Sequence, residues 1–162
     1  MTEEKLKIKA RIGIQKTPGE IFEAIVDPDK MSNYFISEST GRMEEGKTPT
    51  WTFPEFDMTF PVKVGEIRKD EYVSFYWGSE AEGETFVEIN LKPFENDTTV
   101  VIVTEGEKAN DEAGRKWLSG NSEGWANFLA CMKAYLDHGV NLRKGAFEFL
   151  AKDEEYRKAK GI

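Results

Sequence analysis

The chain reads as one α+β domain: a curved antiparallel sheet of about seven strands, two short helices after the first strand, and a long C-terminal helix across the concave face. Three observations predict this. Residues 6–15 alternate apolar and polar, residues 37–107 carry strand and turn signals with no helix-length segment, and the period turns helical after Gly106.

The first strand is the clearest. Leu6, Ile8, Ala10, Ile12 and Ile14 alternate with Lys7, Lys9, Arg11, Gly13 and Gln15, so one face is buried and the other wet. A helix start follows directly. Thr17 can cap orphan amides, Pro18 suits the first helical position, and Glu20 completes a capping box, while Ile21, Phe22 and Ile25 supply the apolar face. Asp27-Pro28 repeats the signal, and Met31, Tyr34 and Phe35 stand three and four residues apart on the second short helix.

In the middle of the chain, Thr50-Trp51-Thr52-Phe53 is short and β-prone. Met58, Phe60, Val62 and Val64 alternate, as do Val73, Phe75 and Trp77, and then Val87, Ile89 and Leu91; Thr98 to Thr104 is a dense β-branched run. Glu45-Gly46, Lys69-Asp70, Ser79 to Gly83, and Glu95-Asn96-Asp97 break these segments. Consecutive antiparallel hairpins result, because parallel neighbours would need helical crossovers.

The long helix is marked by Trp125, Phe128, Leu129, Met132 and Leu136, an apolar stripe that Trp117 and Leu118 extend upstream. Gly120 and Gly124 blur its start, and Gly139 after His138 stops it. A helix from about Ser119 to His138 would run roughly 28 to 30 Å, enough to cross the sheet. The domain therefore spans residues 1–140. Residues 141–162 form an extension in which Phe147, Phe149 and Leu150 precede a charged run, expected as a short docked helix or a partly disordered end.

Length and composition agree with one core. The chain has 162 residues, 39% of them hydrophobic, with four Trp, five Tyr and eleven Phe. A formal charge of −8 repels phosphate backbones and anionic headgroups, so nucleic acid is not an expected partner. Cys131 is the lone cysteine, which rules out an internal disulfide and a cysteine metal cluster. Met1-Thr2-Glu3-Glu4-Lys5 has no signal- or transit-peptide character, and no apolar run approaches the roughly 18 residues of a membrane span. A cytoplasmic protein without membrane insertion is expected.

Two sets of residues carry a family resemblance. Pro18, Ile21, Phe22, Ala24, Ile25, Asp27, Pro28, Met31, Tyr34 and Phe35 resemble, at their spacing, an N-terminal signature within the START-like (SRPBCC) superfamily. The branch is that of the activator of heat-shock-protein-90 ATPase homologues. Gly124-Trp125, followed by Phe128, Leu129, Met132, Tyr135, Leu136 and Gly139, resembles the ending of the same branch. The resemblance covers about residues 6–140 and implies the helix-grip fold. The family commonly has Trp where Tyr34 stands, and commonly stops soon after the position of Gly139. The separate N-terminal domain of the eukaryotic co-chaperone has no counterpart in these residues, so the resemblance implies the domain type, not direct activation of a chaperone ATPase.

A bent sheet closed by one amphipathic helix leaves space that side-chain size turns into core or cavity. The candidate lining residues are Met31, Tyr34, Phe35, Trp51, Phe53, Met58, Phe60, Phe75, Trp77, Trp125, Phe128, Cys131 and Met132. Large apolar groups of this kind line ligand pockets, and equally fill cores. Trp125 should face the sheet and needs a partner for its N–H, whereas Trp51 and Trp77 are expected near the mouth.

The residues offer little catalytic machinery. His138, the lone histidine, sits where the helix dipole favours a charge, and Cys131 reads as a small buried hydrophobe. Glu105-Gly106-Glu107 and Glu80-x-Glu82-Gly83-Glu84 read as solvated turns, Glu105 alone standing where it could enter a cavity mouth. No glycine spacing provides a phosphate loop. No catalytic residue, metal ligand or cofactor is assigned. The leading expectation is non-enzymatic binding of a hydrophobic or amphipathic small molecule between sheet and helix. The alternatives are a protein-interaction or chaperone-associated module, including a homodimer, and a cyclase-like enzyme using Tyr34, Tyr76 or Glu105 to move protons.

Overall fold

The computed structural model describes residues 4–56, 58–79 and 83–160. Met1-Thr2-Glu3, the middle of the expected turn from Ser79 to Gly83, and the last two residues of the extension lie outside the described residues.

Strand β1 (Leu6–Ile14) leads into α1 (Pro18–Val26) and α2 (Pro28–Met31). Both helices start as their sequences dictate. The Thr17 hydroxyl accepts from the Glu20 amide at 3.3 Å and Pro18 takes the first turn; Asp27 accepts from the Asp29 amide at 3.0 Å and Pro28 follows it. The Glu20 carboxylate meets the Thr17 hydroxyl at 3.4 Å, so the expected box closes on the side chain.

Among the described residues, eight strands in two sheets stand where about seven were expected in one. Strands β5 (Lys63–Arg68), β6 (Tyr72–Ser79), β7 (Gly83–Pro93) and β8 (Thr99–Lys108) join β1 in an antiparallel sheet of order β1-β8-β7-β6-β5. Strands β2 (Glu38–Ser39), β3 (Thr50–Thr52) and β4 (Thr59–Pro61) form a separate small sheet. The alternation from Met58 to Val64 suggested a single strand, but Pro61 has no amide to donate and the chain changes ladders there. Val62 then donates to the Pro49 carbonyl at 2.9 Å, and Val64 to that of Lys47 at 2.9 Å.

Register fixes what faces inward. Ile8 pairs with Glu105, Glu105 with Val87, and Val87 with Phe75, so one row of side chains crosses four strands on the same face. Above and below this row lie Ile14, Val73, Ile89, Leu91, Val101 and Val103, all buried. Helix α3 (Glu112–His138) covers that face, with Trp117, Trp125, Phe128, Leu129, Cys131 and Met132 buried.

The helix begins well before Ser119 and, at 27 residues, is about 40 Å long. Asp111 caps it, accepting from the Gly114 amide at 2.7 Å. Gly114 is required there, because a Cβ would fall 1.9 Å from the Ala109 carbonyl oxygen. At the other end Gly139 adopts the left-handed conformation (φ 64°) and donates to the Tyr135 carbonyl at 3.0 Å. A 3-10 helix (Glu148–Lys152) and α4 (Glu154–Lys160) follow.

The last turns of α3 are fastened to the end of β1. Lys133 Nζ donates to the Gly13 carbonyl at 2.9 Å and to Asp137 at 2.6 Å, while both Asp137 oxygens accept from the Gln15 amide at 3.1 Å. Burial pushes the Asp137 carboxyl up. Lys133, the Gln15 amide and His138 together outweigh that and leave it below its ordinary 3.8. A depressed native value means the unfolded chain holds the proton more tightly. This contribution is therefore whole above about pH 3.8 and is lost as pH falls through the lower native value. Replacing Asp137 with Asn should cost on the order of 1 kcal/mol at neutral pH. Urea denaturation across acidic pH should then show a shallower acid limb than in the parent.

Candidate functional site

The site begins with Glu105. Alternation along β8 turns it inward beneath α3, where it is only 2% exposed. This corrects the expectation of a solvated Glu105-Gly106-Glu107 turn: strand pairing continues to Lys108, so Glu105 stays in the ladder. Two donors come from one face of α3, a turn apart. Trp125 Nε1 reaches Oε1 at 2.8 Å and Asn121 Nδ2 reaches it at 3.1 Å. Two more come from paired positions of β6 and β7: Trp77 Nε1 reaches Oε2 at 2.9 Å, and the Thr85 hydroxyl donates to the same oxygen.

A carboxylate offers about four lone-pair positions, and here donors fill all of them. The set suits an acceptor-only group. Among the described residues no lysine, arginine or histidine forms an ion pair with it.

Over this group opens a cavity of about 210 Å³. Its inner wall is Trp77, Thr85, Glu105 and Trp125; Phe35, Phe53, Phe56 and Phe60 form a second wall beside the small sheet. Gly120, Gly124, Asn121, Glu123 and Asn127 give the helix side. A Cβ added to Gly120 or Gly124 would meet nothing within 4 Å. Glycine inside a helix costs about 0.8–1 kcal/mol relative to alanine, yet α3 carries two of them a turn apart on the cavity side. Both are exposed, so bare backbone there leaves the mouth of the cavity uncovered.

The third wall comes from the extension: Arg143, Phe147, Leu150 and Tyr156. Tyr156 stacks on Phe56 with ring centres 5.7 Å apart. The Arg143 guanidinium lies 4.8 Å from the Phe147 ring centre, 5.5 Å from Phe35 and 5.8 Å from Phe53. It pairs with the buried Glu55 at 2.6 Å, while Arg143 Nε is buried without a hydrogen-bond partner. Burial raises the Glu55 pKa against the pull of Arg143. Burial likewise pushes up the Cys131 thiol, with Arg143 opposing and Glu55 reinforcing the shift.

Of the thirteen lining candidates, Phe35, Phe53, Phe60, Trp77 and Trp125 reach the cavity. Met31, Tyr34, Trp51, Phe75, Phe128, Cys131 and Met132 lie one layer deeper, buried in the core. There Tyr34 packs on Phe128 with ring centres 5.7 Å apart, and Trp51 on Phe75 at 5.5 Å. Met58 is 36% exposed, preceding β4. Trp51, expected near the mouth, is sealed because Phe35, Phe75 and Trp77 enclose its ring. Tyr34 donates to the Ala24 carbonyl at 2.8 Å and burial raises its pKa well above 10.0, while Tyr76 points away and packs on Phe86. Neither faces the cavity.

Sequence reasoning missed Phe56, Thr85, Asn121, Arg143 and Tyr156. It had one usable signal, two glycines inside a strongly helical stretch, and treated it as a blurred helix start. Among the described residues no cluster of three potential metal ligands occurs, and no helix is long and apolar enough to cross a membrane.

A curved antiparallel sheet covered by a long C-terminal helix, with two short helices after the first strand, is the START-like arrangement. Within it, this chain belongs to the family described as Activator of Hsp90 ATPase homolog 1-like protein, whose model matches residues 15–137. The chain is similar to the protein SSP2350 from Staphylococcus saprophyticus, with 33% identity, 85% of this chain and 96% of that one covered, and a TM-score of 0.74. It shares its fold with the Aha1 dimer from Colwellia psychrerythraea (22% identity, 83% and 98% covered, TM-score 0.71). CalU16 from Micromonospora echinospora also shares the fold (14% identity, 99% and 98% covered, TM-score 0.66). No curated protein matches.

The Glu55–Arg143 pair sets a test of how the extension is held. Arg143→Met should destabilise the protein by about 3–5 kcal/mol, because it strands a buried carboxylate. Adding Glu55→Gln should recover most of that loss. Urea denaturation of the two single variants and the double variant checks both.

Proposed function

We propose that this protein binds a hydrophobic or amphipathic small molecule in the cavity between the sheet, α3 and the extension. The observation that carries this reading is the aromatic-walled cavity of about 210 Å³ over the buried Glu105, whose helix-side mouth the exposed Gly120 and Gly124 leave uncovered. A side chain at either position would stabilise the helix but narrow that mouth. Aromatic walls with a few fixed polar groups are the usual make-up of a ligand site. An apolar cavity of roughly 150 Å³ accommodates benzene, so 210 Å³ suits one or two fused rings with small substituents. The cyclase-like reading has less support: Tyr34 and Tyr76 face elsewhere, and the Glu105 oxygens are already occupied by donors.

The test is a panel of mono- and bicyclic aromatic compounds against the purified protein, followed by calorimetry and native mass spectrometry. Members of the panel should bind and raise Tm by about 2–4 °C for each kcal/mol of stabilisation. Gly124→Phe should fill the cavity, keep the helical circular dichroism signal and weaken binding by about tenfold or more. A panel in which nothing binds would refute the proposal.

A second reading, self-association, has its own observation. Phe149 is 61% exposed, with Leu142 on the same extension and Val140 just before it also exposed. Sedimentation equilibrium should show a dimer that Phe149→Ser weakens; a monomer at high concentration removes this reading.

A further inference from the structure

The charge around the cavity carries the reading further. Glu105 is buried with four neutral donors and, among the described residues, no ion-pair partner, so its negative charge is spread over its neighbours but not cancelled. Glu123 adds a second acidic group on the helix side. Two cations stand nearby: Arg143, with which Glu55 already pairs at 2.6 Å, and Lys108, whose Nζ lies beside Gly83 on the cavity wall, so Glu55, Glu105 and Glu123 outnumber them. The cavity therefore has a net negative balance in a chain whose formal charge is −8.

The walls reinforce that sign. Trp77 and Trp125 lie with ring centres 5.4 Å apart, and both direct their N–H at Glu105. An indole whose N–H donates to a carboxylate becomes richer in π-electron density, and tryptophan is already the strongest aromatic partner for a cation. Because donors occupy the Glu105 oxygens, a ligand would not need to hydrogen-bond to the carboxylate; it would feel its field through the two rings. A low-dielectric cavity makes that field count for more than it would in water.

We propose that the cavity selects a flat aromatic cation, a ring carrying quaternary or delocalised positive charge, over neutral and anionic molecules of the same shape. This inference rests on the small-molecule reading above and names the ligand class.

Three probes of matched size separate the two ideas: N-methylquinolinium (cation), 1-methylnaphthalene (neutral) and 1-naphthoate (anion), each titrated calorimetrically into the intact protein. The cation should bind about tenfold more tightly than the neutral probe, and the anion more weakly than either. Glu105→Gln should shrink the advantage of the cation, and Glu123→Gln, a substitution at an exposed position, should reduce it partway. Should the Glu105 variant fail to fold, the ranking of the three probes on the unaltered protein decides the matter alone. Equal or tighter binding of the neutral probe overturns the charge preference and leaves the cavity reading standing. No binding by any probe overturns both.

Discussion

The Glu105 carboxylate holds the domain's two layers at a defined separation. Donors from α3, β6 and β7 all converge on a residue of β8, so a single buried group ties the helix to three adjacent strands. Hydrogen bonds to a charged group are worth about 1.5–3 kcal/mol each, and leaving such a group unsatisfied costs more than any one of them returns. The arrangement is therefore close to all-or-none. It locks the rotamers of Trp77 and Trp125, and those two rings form the inner wall of the cavity. An apolar residue at this position would let the helix settle onto the sheet, and the space would close.

Two further features keep the space from filling. The glycines of α3 withdraw side chains from one side, while the small sheet and the extension supply rings that stand on edge against one another. Phe35 meets Phe53 at 5.0 Å and Phe128 at 4.7 Å, both near perpendicular. Edge-to-face packing makes a stiff wall, since each ring is fixed by the quadrupole of its neighbour. Arg143, enclosed by Phe35, Phe53 and Phe147 and paired with Glu55, pins the extension against that wall. The match to the family model ends at residue 137, so Arg143, Phe147 and Tyr156 lie outside the matched segment.

How much of this was legible in the sequence depends on whether local chemistry decides the matter. Period-two alternation in β1 and the cap-then-proline pairs at Thr17 and Asp27 encode their own outcome, and β1, α1 and the start of α2 stand where they were read, although α2 ends at Met31 and leaves Tyr34 and Phe35 in the turns that follow. The split of residues 58–64 between two sheets was hidden, because Pro61 alone signals it and alternation runs straight through. The site was half legible. Trp125 pointed inward from its place on the stripe, but its partner sits 20 residues away in a segment whose glycine and acids imitate a turn. Nothing local distinguishes an inward glutamate on a strand from an outward one; register across four strands does. Arg143 and Tyr156 were out of reach for the same reason, since contacts with Glu55 and Phe56 are made only after the chain folds back.

Apart from Asp70, Asn96 and Asp97, which take the left-handed conformation in turns elsewhere, three kinds of local departure from good design gather in one place. Two helix-interior glycines, a buried carboxylate without an ion-pair partner among the described residues, and the Arg143 end of a buried ion pair all border the same cavity. Elsewhere propensity, capping, patterning and packing agree, as in the Asp111 cap, the Gly139 stop and the inward rows of β7 and β8. Each departure alone has a structural reading: a flexible helix, a polar bridge, a docked tail. Their convergence does not, because a domain under selection for stability alone would lose such defects independently and at scattered positions. Clustering ties them to a shared constraint, and an aromatic space with a fixed charge beneath it is the feature that they have in common.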